Sequence, residues 1–145
     1  MVGRMIHILL VEDDEIEAEA ILRAAHRHQL PTNFTIVTDG LAALELLQAQ
    51  PNGKAPLRPN MILLDLNTPR MSGLEFLDAI RQDPGLCRSI VFVLTTSNRD
   101  EDKLAAYNRQ VAGYLVKSHM GEDFSHLTEL LQIYWEIIEF PPESG

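Results

Sequence analysis

Five polar side chains that could carry out chemistry follow short apolar runs of the sequence. They are Glu12, Asp13, Asp65, Thr95 and Lys117. Taken singly, each has an ordinary explanation, such as an acid at a helix start or a solvated lysine at a strand end. Together they indicate a functional site, because three carboxylates that lie close together in space repel one another unless a cation is present. Mg²⁺ binds one or two carboxylates together with phosphate oxygens, and an ammonium and a hydroxyl donate to such oxygens. The set indicates a site for phosphoryl transfer onto a carboxylate.

Asp65 is the candidate acceptor because of its place in the segment MILLDLNTPRMSG, residues 61–73. Four apolar residues of a predicted buried strand run into this aspartate, and turn residues follow almost at once. Asp65 comes too early to cap the next helix, whose pattern begins near Ser72, itself a good N-cap. We therefore predict that Asp65 is held at the end of a strand as the phosphoryl acceptor.

Strands and helices alternate along the chain. The predicted strands cover 7–11, 34–38, 61–65, 90–94 and 113–117. The first predicted helix follows the first acids and runs to about residue 28. The second begins at Asp39, and the third runs from Ser72 to before Asp83. The last two cover about 100–110 and 122–139. Nearly continuous apolar strands are typical of a parallel sheet covered by helices on both faces. We predict a single-domain α/β fold, a flavodoxin-like (βα)5 doubly wound sheet in the order 2-1-3-4-5. Because strands 1 and 3 are neighbours in this order, the carboxylates that follow them should converge.

The composition suits one domain and excludes several classes of protein. The 145 residues are 46% hydrophobic and 23% charged, which is enough for a single core. The formal net charge of −9 argues against sequence-independent nucleic-acid binding, which needs a basic face. No apolar run approaches the roughly 18 residues of a membrane span, and the single cysteine, Cys87, fits a reducing cytoplasm. We expect a cytoplasmic protein with no nucleic-acid or membrane partner.

Four motifs occur in a fixed order along the chain: LLVEDD, LLDLNTPRMSG, VLTTS and GYLVK. Thr95 lies thirty residues after Asp65, and Lys117 lies twenty-two residues after Thr95. In these motifs and spacings the chain resembles the receiver domain of two-component response regulators over about residues 6–138. The resemblance implies that a partner histidine kinase phosphorylates Asp65. It implies that the domain catalyses only its own phosphorylation and dephosphorylation.

The resemblance also implies a metal site beside the acceptor. Mg²⁺ (or Mn²⁺) would be held by Asp13, Asp65 and the backbone carbonyl of Asn67. Glu12 would reach the metal through a water molecule.

A phosphate-binding and switching group is implied as well. Lys117 and Thr95 would contact the phosphoryl group, and Thr95 and Tyr114 would form the switch pair. On phosphorylation the threonine hydroxyl would turn toward the phosphate and the tyrosine ring would rotate inward. One feature departs from the family, which usually follows its lysine with a cis proline, whereas Ser118 stands here. Because a non-proline cis bond costs about 2.5–4 kcal/mol, we expect a trans or mobile KSHM loop.

Other functions on the same fold remain as alternatives. A phosphatase of the haloacid-dehalogenase type needs a second aspartate two residues after the first, and Asn67 stands there. An amide cannot protonate a leaving group, so a turnover enzyme is disfavoured. A flavin- or nucleotide-binding module would need a glycine-rich loop after the first strand, where this chain has acids. A receiver-like scaffold that has lost signalling is the remaining alternative.

The end of the chain suggests how the signal leaves the domain. A receiver over residues 1–145 leaves no room for an output domain, so we expect a stand-alone receiver that signals to a downstream protein or a histidine phosphotransfer protein. Tyr134, Trp135 and Ile138 supply more apolar surface than one helical face needs, which indicates a homodimer through the last helix. The insertion AQPNGKAPLRPN, the LTTS motif and the W…FPP ending are similar to receivers that accompany bacterial phytochrome kinases.

Overall fold

Five parallel strands form the centre of the protein in the computed structural model, which describes residues 5–142. They are β1 (Ile6–Val11), β2 (Thr32–Val37), β3 (Met61–Leu64), β4 (Val91–Thr95) and β5 (Gly113–Val116). The strand order is β2-β1-β3-β4-β5, and every neighbouring pair is parallel. This confirms the predicted flavodoxin-like topology. The ends of the expected 1–145 domain, residues 1–4 and 143–145, lie outside the described residues.

Within residues 5–142, five α-helices cover the sheet: α1 (Glu15–Arg27), α2 (Gly40–Leu47), α3 (Gly73–Gln82), α4 (Asp100–Tyr107) and α5 (Ser125–Ile137). Side-chain caps fix where three of them begin. Asp14 accepts from two backbone N–H groups of α1, and Asp39 accepts from one of α2. Ser72 forms a reciprocal capping box with Glu75 at the start of α3. The helix starts predicted at Asp39 and Ser72 are confirmed.

The core lies in two layers, one on each face of the sheet. One layer packs Phe76, Leu77 and Ile80 of α3 against the sheet. The other packs Ile21 of α1 and Leu127 of α5 against the opposite face. All residues of β3 and β4 are buried, as expected for central strands covered on both sides. The central strands are therefore held firmly, and so are the residues at their carboxyl ends. Within residues 5–142, every helix is too short or too polar to cross a membrane.

The segment between β5 and α5 differs from the prediction. A 3-10 turn covers Lys117–His119 and a second covers Glu122–Phe124. Asp123 and Phe124 have φ angles of 55° and 58°, in the left-handed region, so the regular helix begins at Ser125 rather than at 122. Every peptide bond within residues 5–142 is trans, including the bond between Lys117 and Ser118.

Candidate functional site

The register of the central strands brings the acids together. Val11 of β1 lies opposite Leu64 of β3, and the N–H of Asp65 donates to the carbonyl of Val11 at 3.0 Å. Glu12 and Asp65 therefore leave the sheet side by side. One carboxylate oxygen from each of Glu12, Asp13 and Asp65 lies within 4.8 Å of the others. Glu12 and Asp65 are buried, whereas Asp13 is exposed to solvent.

Asp65 is held by donors on both of its oxygens. Its Oδ1 accepts from the Thr95 hydroxyl at 3.0 Å and from the backbone N–H of Asn67 at 3.0 Å. Its Oδ2 accepts from Lys117 Nζ at 3.1 Å. The residue is only 7% exposed, so these three donors replace most of the water that a free carboxylate would bind.

Lys117 lies at the centre of the acids. Its ammonium contacts Glu12 Oε1 at 2.6 Å, Asp65 Oδ2 at 3.1 Å and the carboxylate of Glu17 on α1. Glu17 was not among the site residues predicted from the sequence. No sequence pattern indicates this contact, because Asp13 precedes the N-cap of α1 and the pairing of Glu17 with Lys117 depends on side-chain reach. The trans peptide bond before Ser118 still allows the ammonium to reach Asp65.

The electrostatics of this group follow from burial and from the shared ammonium. Burial raises the pKa of Glu12 to about 7, although hydrogen bonds from Lys117 and from the Asp14 N–H oppose the rise. Burial acts to lower the pKa of Lys117, but its hydrogen bonds with Glu12 and Glu17 outweigh that effect and leave the pKa above its ordinary value. One buried cation thus faces an excess of carboxylates.

The donor set fits a divalent cation. The oxygens of Glu12, Asp13 and Asp65 are close enough to share one ion, and hard cations such as Mg²⁺ and Mn²⁺ favour oxygen ligands. The single ammonium of Lys117 leaves negative charge for such an ion to neutralise. Asn67 follows Asp65 by two residues in the loop after β3, beside the same carboxylate.

The two residues expected to form a switch pair lie on adjacent strands. Thr95, at the end of β4, is fully buried, and its hydroxyl already points to Asp65. Tyr114 of β5 is half-buried against the core layer that contains α3, and its hydroxyl donates to the carbonyl of Ser97 at 3.1 Å. Thr95 therefore contacts the acceptor directly, and Tyr114 contacts the loop after β4.

A second ion pair, which the sequence analysis missed, holds the loop that follows β3. Arg70 Nε lies 2.9 Å from Asp39 Oδ2, and a second guanidinium nitrogen lies 3.2 Å from Oδ1. Asp39 also caps α2, and the carbonyl of Met71 accepts from the N–H of Gly40 at 3.2 Å. The N–H of Ala42, followed by the Arg70 guanidinium, lowers the pKa of Asp39. These contacts attach the loop that carries Asn67 to the start of α2.

The expected dimer face has a different composition in the structure. Tyr134, Trp135 and Ile138 are half-buried, and the Tyr134 ring packs edge-on against Phe92 with a centroid separation of 5.1 Å. The apolar side chains that α5 exposes are Ile133, at 58%, and Ile137, at 76%. The rings of Tyr134 and Trp135 pack in part against the core beneath the helix, and the predicted dimer face stays a prediction.

Comparison with known proteins identifies a family along nearly the whole chain. The response regulator receiver domain family matches residues 8–131. The response regulator Rcp1 of Synechocystis sp. is 38% identical over 135 residues, covering 92% of this chain and 92% of Rcp1. The probable methanogenesis regulatory protein FilR2 of Methanothrix harundinacea is 39% identical, covering 88% of this chain and 82% of FilR2.

Solved structures show the same similarity. The Mn²⁺-bound form of response regulator Rcp1 superposes with a TM-score of 0.83 at 37% identity, covering 94% of this chain and 99% of that one. The phosphorylated cyanobacterial phytochrome response regulator RcpA superposes with a TM-score of 0.86 at 30% identity, covering 96% of this chain and 100% of that one. The alignments therefore extend from end to end of both relatives.

Proposed function

This chain belongs to the response regulator receiver family of two-component systems, and from that premise we propose that Asp65 accepts a phosphoryl group from a partner histidine kinase. The observation that carries the proposal is the environment of Asp65. It is buried at the end of β3, bonded to Thr95 and Lys117, and flanked by two further acids. The family functions in signalling rather than in metabolic turnover.

The proposed reaction needs few protein groups. An oxygen of the Asp65 carboxylate forms a bond to phosphorus as the P–N bond of a phosphohistidine breaks, and the electron pair stays on the imidazole nitrogen. Lys117 and the Thr95 hydroxyl then donate to oxygens of the transferred group, both from their present positions beside the two Asp65 oxygens. Tyr114 responds through the loop that its hydroxyl contacts, which makes it the second half of the switch.

We further propose Mg²⁺ as the physiological cation, with Mn²⁺ as a substitute. Asp13, Asp65 and the Asn67 carbonyl would hold it directly, and Glu12 would hold it through water. When bound, the ion supplies positive charge to balance the carboxylates and the phosphoryl oxygens.

The partner proposed for this chain is a phytochrome histidine kinase in the cytoplasm. Support comes from RcpA, which is described as a cyanobacterial phytochrome response regulator and aligns over its whole length. The output is a protein contact, to a downstream target or a histidine phosphotransfer protein. We also propose a homodimer through α5, now centred on the exposed Ile133 and Ile137 beside the half-buried Tyr134, Trp135 and Ile138.

Labelling with acetyl phosphate tests the acceptor. Intact-mass spectrometry should show one phosphoryl adduct on the wild-type protein in the presence of Mg²⁺, and none when the metal is chelated. The Asp65→Asn protein, which keeps the shape of the side chain, should remain unlabelled. An adduct of equal yield on that variant would contradict the assignment.

A further inference from the structure

The ammonium of Lys117 has no hydrogen-bonding capacity left in the resting site. A lysine has three N–H donors and no acceptor. Here three carboxylates take them: Glu12 at 2.6 Å, Asp65 at 3.1 Å, and Glu17. The Lys117 side chain is only 8% exposed, so water has little access to it. A phosphoryl oxygen that binds this lysine must therefore displace one of the three acids.

The three acids differ in how easily they can leave. The side chains of Glu12 and Asp65 are 2% and 9% exposed, whereas that of Glu17 is 30% exposed. For Glu12, a buried carboxylate, loss of the cation would also mean loss of its solvation, which is costly. Asp65 carries the phosphoryl group itself and stays beside the lysine. Glu17 can turn to water instead, because it projects from α1 at the mouth of the site. Glu17 also stands outside the group of three acids that share one ion-sized space.

We propose that Glu17 is a positioning residue. Its carboxylate accepts the Lys117 N–H hydrogen bond that a phosphoryl oxygen later accepts, and Glu17 gives up this hydrogen bond on phosphorylation. This inference rests on the proposed phosphorylation of Asp65. In the resting state Glu17 partly neutralises Lys117 and keeps its third donor engaged. In the phosphorylated state the phosphoryl oxygen takes that donor, and the Glu17 carboxylate moves into solvent, away from the new negative charge.

Lys117 does not need Glu17 to stay near the acceptor. Glu12 and Asp65 bind the ammonium from inside the site, and both belong to segments fixed by the paired ends of β1 and β3. Removing the charge of Glu17 should therefore leave Lys117 in place and weaken the hydrogen bond that engages its third donor. An amide oxygen accepts a weaker hydrogen bond from an ammonium than a carboxylate does.

The Glu17→Gln protein tests the proposal, with Glu19→Gln as a matched control. Glu19 is exposed on the same helix, so its variant makes the same change in net charge away from Lys117. We expect the rate of Asp65 labelling by acetyl phosphate to rise about fivefold in Glu17→Gln, as for the loss of one competing charge-assisted hydrogen bond. The control should label at the wild-type rate.

A spectroscopic readout separates positioning from a purely structural effect. The ¹⁵N resonance of the Lys117 ammonium, recorded without phosphodonor, should shift in Glu17→Gln and stay unchanged in Glu19→Gln. An unshifted resonance overturns the inference, as does a labelling rate that is unchanged, lower, or raised equally in both variants. Failure of the wild-type protein to become labelled at all contradicts the proposed function itself, and the inference falls with it even if the resonance shifts.

Discussion

At the scale of single residues, Glu12 shows how burial changes the chemistry of the site. It is 2% exposed, and burial raises its pKa from 4.5 to about 7. The folded protein therefore holds a proton on Glu12 at a pH at which the unfolded chain has released it. By linkage, the contribution of protonated Glu12 to the free energy of unfolding is fully present below about pH 4.5, and it is lost as the pH rises through about 7.

The direction of this pKa shift predicts how pH and Mg²⁺ together change the stability of the protein. In chelator, the contribution of Glu12 to the free energy of unfolding should decrease between pH 5 and pH 8, because the buried carboxylate becomes charged. Mg²⁺ should reverse the trend, since it binds the deprotonated acids and its affinity rises with pH. Urea denaturation at pH 5 and pH 8, with and without Mg²⁺, measures both effects. The Glu12→Gln protein should show a smaller pH dependence in chelator, and an identical dependence in the two proteins would contradict the account.

At the scale of elements, the loop after β3 depends on a contact with α2. Asp39 combines two roles: its side chain caps α2 and it pairs with Arg70, which has a φ of 63° in that loop. Asp14 offers a comparison because it caps α1 in the same way, without a basic partner among the described contacts. The difference between the two caps isolates the contribution of the loop contact.

Substituting alanine for Asp14 and for Asp39 should therefore lower the free energy of unfolding by different amounts. Asp14→Ala should lower the free energy of unfolding by about 1 kcal/mol, the usual cost of a lost N-cap. Asp39→Ala should cost about 2 kcal/mol or more, because a buried partner of Arg70 is removed as well. Urea denaturation at neutral pH gives both values, and equal losses would show that the Arg70 contact contributes nothing. Because the pKa of Asp39 is lowered, its contribution should persist above pH 3.8 and disappear as the pH falls further.

Sequence patterns predicted the strand order and the acceptor segment because hydrophobic periodicity and register determine which residues leave the sheet together. Patterns could not predict contacts that depend on side-chain reach, such as Glu17 to Lys117 or Arg70 to Asp39. The start of α5 was misplaced because the left-handed conformation of Phe124 leaves no mark in the apolar spacing. Periodicity also reports that a residue is apolar, and tertiary packing then decides whether it is buried, as for Trp135.

At the scale of the whole molecule, the candidate site lies at the carboxyl edge of the sheet, between the helices that cover its two faces. The outer side of α5 exposes apolar side chains. Ile133 and Ile137 are four residues apart and lie on one face of that helix. Between them, Tyr134 and Trp135 pack against the core, whereas Glu136 is exposed. A second copy of the chain that covered this face would bury both isoleucines without disturbing the core.

The dimer is tested by charging that face. We expect a concentration-dependent dimer of the wild-type protein in sedimentation velocity, and a monomer for Ile137→Asp at the same concentrations, because a buried unpaired carboxylate is costly. Leu104→Asp serves as the control, since Leu104 is 64% exposed on α4. That variant should still dimerise. A wild-type protein that remains monomeric across the series, or a dimer that survives Ile137→Asp, would refute the proposed interface.

The central claim is that Asp65 is the phosphoryl acceptor, and chemical trapping of the modified residue tests it most directly. After acetyl phosphate and Mg²⁺, borohydride reduces an aspartyl phosphate to homoserine, which peptide mass spectrometry locates in the sequence. We predict homoserine at position 65 and at no other acid, with none in a reaction lacking Mg²⁺. Homoserine at Asp13 or another aspartate, or the corresponding reduced glutamate (2-amino-5-hydroxypentanoic acid) at Glu12, in place of homoserine at position 65 would contradict this assignment.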